Sequence, residues 1–471
     1  MTNSSIPDSD VQLFATQKKI YPRRVWGRYR KIKWAAMIVL LGIYYLAPWL
    51  RWHRGGEAPD QAILIDLQHT RAYFFGIEIW PQEVYYITGI LVLAAVGLFF
   101  VTSLFGRVWC GYACPQTVWT DLFIWVERIV QGDRNARKKL DESPLSLDKI
   151  VKKSITHIVW LLIGLFTGGA WVFYFNDAPT LMDQIWHQEV PWSVGSWILG
   201  LTISTYIMAG YAREQVCTYM CPYSRFQSAM FDKDSLIISY DDKRGEPRGK
   251  HKSGESWEGK GHCIDCDSCV VVCPMGIDIR NGLQMECIAC GLCVDACNNV
   301  MDKLELPRGL IRYDTAHDRA DGKPPHLHFI RPRTFWYVGI MAVVGGLMLY
   351  TLLNRSPLDL NVIHDRNPIF VRLSDGEFRN GYTIHVLNKN HENKIYSLSV
   401  SGLENAKINV QSNEEVSPDN LPVFADSVGN FRVFITAAQQ AEARKEISFQ
   451  ITDKSAKVSD TKETIFVSEA K

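Results

Sequence analysis

At 471 residues the chain is long enough for two to four domains, and its net charge of +1 excludes the global field expected of a nucleic-acid binder or a protein acting on acidic substrates. A hydrophobic content of 47% with 15 Trp, set against a mean hydropathy of -0.07, describes membrane helices diluted by polar domains. No secretory signal opens the chain, because residues 1–33 are polar and basic without an early apolar core.

Residues 1–33 carry eight Lys or Arg and are expected to be a cytoplasmic tail. Residues 34–212 hold four long, uncharged apolar runs, Trp34–Leu50, Val84–Phe105, His157–Phe175 and Val190–Ala212, and a fifth, Phe335–Leu353, follows later. Each approaches the roughly 20 apolar residues that span a bilayer core as a helix. The loop 106–156 carries nine Lys or Arg and residues 176–189 none, so the N-terminus, that loop and residues 213–334 are expected in the cytoplasm, with residues 354–471 in the periplasm.

Two stretches echo one another: Arg107-Val-Trp-Cys110-Gly-Tyr-Ala-Cys114-Pro115 and Arg213-Glu-Gln-Val-Cys217-Thr-Tyr-Met-Cys221-Pro222. Both contain C-x-Y-x-C-P, and both follow an even-numbered span. Cysteines four apart share a helical face and the proline disfavours helix just before it, so each pair is expected at a helix end. Cys110, Cys114, Cys217 and Cys221 could then meet in one thiolate site, which suits Cu(I) first and zinc or another iron–sulfur cluster next. Beside Arg107 and Arg213 these thiols are expected to be exposed and easily deprotonated. The plain alternative is small buried residues packing helix ends. Met208 and Met220 read as packing rather than as ligands.

The segment 213–334 carries Cys263-Ile-Asp-Cys266-Asp-Ser-Cys269-Val-Val-Val-Cys273-Pro274 and Cys287-Ile-Ala-Cys290-Gly-Leu-Cys293-Val-Asp-Ala-Cys297. Each half is C-x2-C-x2-C-x3-C, the run that holds 4Fe–4S clusters in two-cluster ferredoxins, where the fourth cysteine ligates the other cluster. One cluster is therefore expected on Cys263, Cys266, Cys269 and Cys297, and its neighbour on Cys287, Cys290, Cys293 and Cys273. Zinc is the alternative, but zinc modules space their cysteine pairs further apart. His157, His262, His317, His326 and His328 read as interfacial or solvated. The run Arg244-Gly-Glu-Pro-Arg248-Gly-Lys reads as a solvated link.

Residues 335–353 are the fifth span. Residues 354–471 hold short strand-like runs, Tyr382–Leu387, Ile395–Val400, Phe431–Ile435 and Ile447–Ile451, parted by turn signals at Ser374-Asp-Gly376, Asn380-Gly381, Asn388–Asn390 and Gly429-Asn430. That pattern predicts an immunoglobulin-like β-sandwich with a docking or structural role. The expected fold is thus a five-helix membrane protein with an inserted two-cluster ferredoxin-like domain and a C-terminal sandwich.

In order and kind, these parts resemble the FixG/CcoG (RdxA) family of cytochrome oxidase accessory proteins, over nearly the whole chain. The resemblance includes Tyr240-Asp-Asp-Lys-Arg-Gly-Glu-Pro-Arg248 and Asp365-Arg-Asn-Pro-Ile-Phe-Val-Arg-Leu-Ser-Asp-Gly376. It implies assembly of a cbb-type oxidase by reduction of Cu(II) to Cu(I), with Cys110, Cys114, Cys217 and Cys221 as the catalytic, copper-binding thiols. Electrons would come from a cytoplasmic donor or quinol, and Cu(I) would pass to an exporter or chaperone. Two other readings stay open: a membrane quinol dehydrogenase feeding a periplasmic reductase, and a copper-binding assembly scaffold. A homodimer also stays open.

Overall fold

The computed structural model describes residues 19–55, 58–251, 256–321, 328–411, 416–440, 442–455 and 458–469; residues 1–18 of the expected tail and His326 lie outside them. The chain divides into two compact units, one comprising Met1–Leu50 and Gln61–Leu347, the other Arg51–Asp60 and Met348–Lys471.

Among the described residues, five helices are long and apolar enough to cross a membrane: Arg28–Trp49, Pro81–Phe105, Leu147–Val172, Trp192–Met220 and Pro332–Leu353. Their regular parts include α1 (Arg28–Leu46), α2 (Tyr85–Phe105), and, after α3 (Pro115–Val130) and α4 (Arg134–Glu142), α5 (Leu147–Val172). Then come α6 (Ala178–Trp186) and α7 (Trp192–Thr205). Large apolar side chains such as Ile38, Leu91, Phe166, Trp197 and Val343 stay exposed along them, as lipid-facing surfaces require. The third span begins at Leu147 rather than His157, because Ser146 caps α5 by accepting the Lys149 N–H at 3.3 Å and three lysines occupy its polar first turns. Gly164 and Gly168, four apart on α5, let α7 come close; a Cβ on Gly168 would lie 2.7 Å from the Ile198 carbonyl oxygen. Between the first two spans, β1 (Ile63–Asp66), β2 (Arg71–Phe74) and β3 (Ile77–Ile79) form a small antiparallel sheet absent from the sequence reading.

The expected tail 1–33 needs correction over its described part. Residues from Arg28 onward already belong to α1, and Arg30 and Lys33 are buried. Both face Asp121 on α3, at 2.9 and 3.9 Å. Further along α3, Glu127 takes Arg137 and Arg213, each at 2.7 Å. Burial alone would push the Glu127 carboxyl up, but Arg213 and Arg137 hold it below its ordinary value. Glu127→Ala would strand two buried guanidinium groups. It should destabilise the folded protein by about 3–5 kcal/mol, read as a lowered midpoint in thermal unfolding of the detergent-solubilised chain.

The inserted domain carries a two-stranded sheet of β4 (Ile237–Tyr240) and β5 (Ile311–Asp314). The stretch Arg244–Lys250 is not a free link. The Arg244 guanidinium donates to His262 Nδ1 at 2.9 Å and to the Pro307 carbonyl, and a Cβ on Gly261 would lie 2.1 Å from the Gly245 oxygen.

The second unit is a sandwich of β6 (Leu358–His364), β7 (Val371–Arg372), β8 (Phe378–Asn388), β9 (Lys394–Ser401), β10 (Lys407–Gln411), β11 (Leu421–Val423), β12 (Ser427–Ala437), β13 (Arg444–Asp453) and β14 (Val458–Val467). One sheet runs β10-β12-β8-β6 with β7 on β8, the other β11-β9-β13-β14. Alternate residues Tyr382, Ile384 and Val386 of β8 meet Ile447, Phe449 and Ile451 of β13 in a common core. Two expected turns lie inside strands instead. Asn380-Gly381 is within β8, where buried Asn380 exchanges hydrogen bonds with the Val467 backbone at 2.8 and 3.0 Å and a Cβ on Gly381 would lie 2.4 Å from the Asp365 carboxylate. Gly429-Asn430 is within β12, where a Cβ on Gly429 would meet Phe431 and Val423 at 2.7 and 2.8 Å. These glycines serve close approach rather than chain reversal.

Candidate cluster cavities and thiol site

The two cysteine runs share one backbone device. Residues on both sides of each middle cysteine take a left-handed φ: Asp265 and Asp267 around Cys266 (53° each), Ala289 and Gly291 around Cys290 (51° and 74°). The chain thereby turns sharply at the middle cysteine and carries the third into the first turn of a helix, Ser268–Val271 in one run and Leu292–Lys303 in the other. Gly291 is needed twice over, since a Cβ there would also lie 2.6 Å from the Tyr29 ring.

Two cavities result. Cys263, Cys266, Cys269 and Cys297 line one, with Tyr240, Met301 and Ile311. Cys273, Cys287, Cys290 and Cys293 line the other together with Cys269, and its remaining walls are apolar, Ile238, Ile277, Ile279, Ile288 and Met275. The fourth cysteine of each run thus borders the cavity of the other run. All twelve cysteines are free. Burial pushes the Cys269 and Cys287 thiols up to about 11, and those of Cys273 and Cys297 up to about 12. Protein groups alone therefore do not hold them as thiolates, whereas a cationic centre would. An all-sulfur donor set fits a 4Fe–4S cluster or zinc.

The cavities differ in setting. Cys266 is exposed, and Arg280 ties the turn around it by ion pairs to Asp265, Asp267 and Asp278 at 2.6, 2.6 and 2.7 Å. The second cavity faces the helices. Arg107 donates to the carbonyls of Met285, Cys287 and Ser224, and Tyr112 donates to the Cys290 carbonyl at 3.0 Å. A Cβ on Gly111 would lie 2.7 Å from the Ile288 oxygen, so glycine lets the first cysteine pair press directly onto the second run. The N-terminus of α1 is joined to the same domain, with the Asp295 carboxylate accepting the backbone N–H groups of Tyr29 and Arg30 at 3.2 and 2.8 Å.

The two C-x-Y-x-C-P stretches form π-helical turns, Trp109–Ala113 and Val216–Met220, rather than α-helix ends. Cys114 and Cys221 follow in extended conformation and cap new helices that start at Pro115 and Pro222. All four thiols are half-buried and close enough to interact: Cys114, Cys217 and Cys221 each raise the Cys110 thiol. Burial is the larger cause and takes Cys110 up to about 12, against the pull of Arg107. For Cys110 the expectation of a readily deprotonated thiol is thus overturned, because desolvation outweighs Arg107, and Arg213 is spent on Glu127.

The Cys110 thiol donates to Gln227 Oε1 at 3.2 Å and packs in one apolar cluster with Cys290 and Ile288. Gln227 carries no signal in the sequence. Tyr112 did carry one, as the tyrosine common to both stretches, yet its counterpart Tyr219 is exposed. Met208 and Met220 are exposed as well, and the described histidines have ordinary partners: His317 with Asp234 and His328 with Asp318, each at 3.2 Å.

Comparison with known proteins agrees with the all-sulfur cavities. A family model described as a 4Fe–4S dicluster domain matches residues 212–316, and one described as a 4Fe–4S binding domain matches residues 87–132. Together with the five apolar helices they define an iron–sulfur membrane protein. A third model, the IG-like fold at the C-terminus of FixG, matches residues 348–469. The nitrogen fixation protein FixG of Rhizobium meliloti is 48% identical, covering 93% of this chain and 90% of its own. RdxA and RdxB of Cereibacter sphaeroides are each 46% identical, covering 91% and 93% of this chain and 92% and 93% of their own. The chain belongs to the FixG family.

Proposed function

We propose that this protein carries electrons to Cu(II) at the membrane and releases Cu(I) for assembly of a cbb-type cytochrome c oxidase. The observation that carries the reading is the packing of Cys110 against the apolar cluster that contains Cys290 and Ile288, which brings the paired thiols up to the second cysteine run. Cys263, Cys266, Cys269 and Cys297 would hold one 4Fe–4S cluster, and Cys273, Cys287, Cys290 and Cys293 the other. Bound there, the clusters supply one-electron transfer.

The two cavities are set differently: exposed Cys266 leaves the first open to solvent, and Arg107 and Tyr112 hold the second against the helices. Cys110, Cys114, Cys217 and Cys221 offer soft sulfur, which favours Cu(I) over Cu(II) and so favours uptake of one electron per ion. The Cys110 proton is displaced when metal binds, with Gln227 beside the sulfur to receive or return a hydrogen bond. The test is a Cu(I)-specific chelator assay on anaerobically purified protein. A reduced donor should generate chelated Cu(I) in proportion to protein, and Cu(II) left unreduced would overturn the reading.

A second reading is supported by the 4Fe–4S model that covers Cys110 and Cys114: a further cluster on the same four thiols. Iron counts decide, because two clusters give about eight irons and a third about twelve.

The orientation proposed from loop charge puts residues 213–334 in the cytoplasm and the sandwich, residues 354–471, in the periplasm. A reporter active only outside the cytoplasm should work when fused after Leu353 and fail when fused after Ser235. The opposite pattern would reverse the topology and with it the source of electrons.

A further inference from the structure

At the end of the helical bundle that carries the cluster domain lies a cavity of about 360 Å³, separate from both cluster cavities. That is within the size range of small-molecule sites. Its aromatic wall is His157, Trp160 and Tyr211: the His157 ring stands edge-on to Trp160 at 5.3 Å and lies nearly parallel to Tyr211 at 6.0 Å. Gly210 allows this wall, since a Cβ there would lie 3.1 Å from the Trp160 ring. The backbone is unusual at the same place. Tyr206–Ala212 is π-helical, and Arg213 takes a φ of 36°, a combination that recurs at binding sites.

The polar groups around the cavity are unequally satisfied. Its cations are taken: Arg213 by Glu127 at 2.7 Å, Lys19 and Lys153 by Asp141 at 2.7 and 2.5 Å. Two proton acceptors are free among the described residues. His157 Nδ1 is paired with the Tyr206 hydroxyl at 3.0 Å, leaving Nε2 without a partner, and the Glu214 carboxylate has none. A phosphate or other anion would thus find no spare cation. A flat neutral ring bearing hydroxyls would find an aromatic wall and two acceptors. Glu214 and Arg213 also border the groove that holds Cys217, Met275 and Ile288, so the cavity adjoins the thiol site and the second cysteine run.

We propose that this cavity binds the head ring of a membrane-dissolved hydroquinone, which is the electron donor in the function proposed above and rests on that reading. Oxidation of one hydroquinone to quinone breaks two O–H bonds and releases two electrons and two protons. The protons pass to His157 Nε2 and to the Glu214 carboxylate, and the two electrons would be taken up one each by 4Fe–4S clusters held on the two cysteine sets or by two Cu(II) ions.

The experiment uses the full chain in detergent under anaerobic conditions, with a short-tailed hydroquinone as the probe. Equilibrium dialysis of protein already treated with dithionite reads hydroquinone binding, and loss of visible iron–sulfur absorption reads reduction of untreated protein by hydroquinone or, separately, by dithionite. Wild-type protein should bind the hydroquinone saturably and be bleached by both reductants. His157→Phe, which keeps an aromatic ring, and Glu214→Gln should each weaken binding and slow hydroquinone bleaching by about tenfold or more, the effect of losing one charged or ring-nitrogen hydrogen bond, with dithionite bleaching unchanged. Absent hydroquinone binding, or binding undiminished in either variant, would overturn the cavity proposal. Failure of dithionite to bleach the wild type would instead overturn the electron-transfer reading, while dialysis still decides whether the ring binds here.

Discussion

Replacing Cys110 and Cys114, or Cys217 and Cys221, by serine should lower copper binding by more than about a hundredfold and leave iron and sulfide at the wild-type level. Even outer-shell changes at metal sites cost 10–100-fold, and each double substitution removes two soft donors outright. The four thiols interact as one group, so losing either pair opens the whole site. Reduction of Cu(II) should fall in step, because the acceptor is lost and the donor path is not. Cys263→Ser or Cys287→Ser should do the reverse: copper still binds and electrons no longer arrive. Iron, sulfide and copper counts with a Cu(I)-specific chelator assay on the four proteins measure both halves. Full binding and reduction in both double variants would move copper elsewhere and leave these cysteines as packing for the π-helical turns.

Cys273→Ser should remove one cluster signal selectively, that of Cys287, Cys290 and Cys293, although Cys273 belongs to the first run in sequence. It lines the second cavity, and Cys297 lines the first. Cys297→Ser should therefore have the opposite signature. Electron paramagnetic resonance of the reduced variants, compared with Cys266→Ser and Cys290→Ser as markers of each cavity, reads the outcome. A Cys273→Ser loss matching Cys266→Ser would mean that each run ligates its own cluster.

Much of the architecture was legible because it follows from short-range rules. Uninterrupted apolar runs mark the spans, since a bilayer tolerates no unpaired charge over some 20 residues. The same rule misplaced their ends. Lys149, Lys152 and Lys153 look like loop residues, yet they are the polar start of α5, and Arg30 and Lys33 look like tail although both are buried. Their partner Asp121 is 91 positions from Arg30, a distance at which charge counting along the chain has no purchase. The strands Tyr382–Leu387 and Phe431–Ile435 stood out by alternation, whereas Asn380-Gly381 and Gly429-Asn430 mimic turns. What separates the two cases is whether another chain segment needs the space a side chain would fill, as Asp365 does beside Gly381.

By itself the sequence determined the five apolar helices, the β-rich C-terminal unit and the grouping of the cluster-domain cysteines around two cavities, because helix length, strand alternation and the reach of a C-x2-C-x2-C-x3-C run are local properties of the chain. Only the tertiary structure decided that Cys110, Cys114, Cys217 and Cys221 lie together, that they are half-buried, that burial pushes the Cys110 thiol up, and that Cys110 packs against the apolar cluster containing Cys290. It alone assembled His157, Tyr211 and Glu214 around a cavity. These outcomes depend on helix packing and on desolvation, which are set by everything surrounding a residue and by no spacing within the chain.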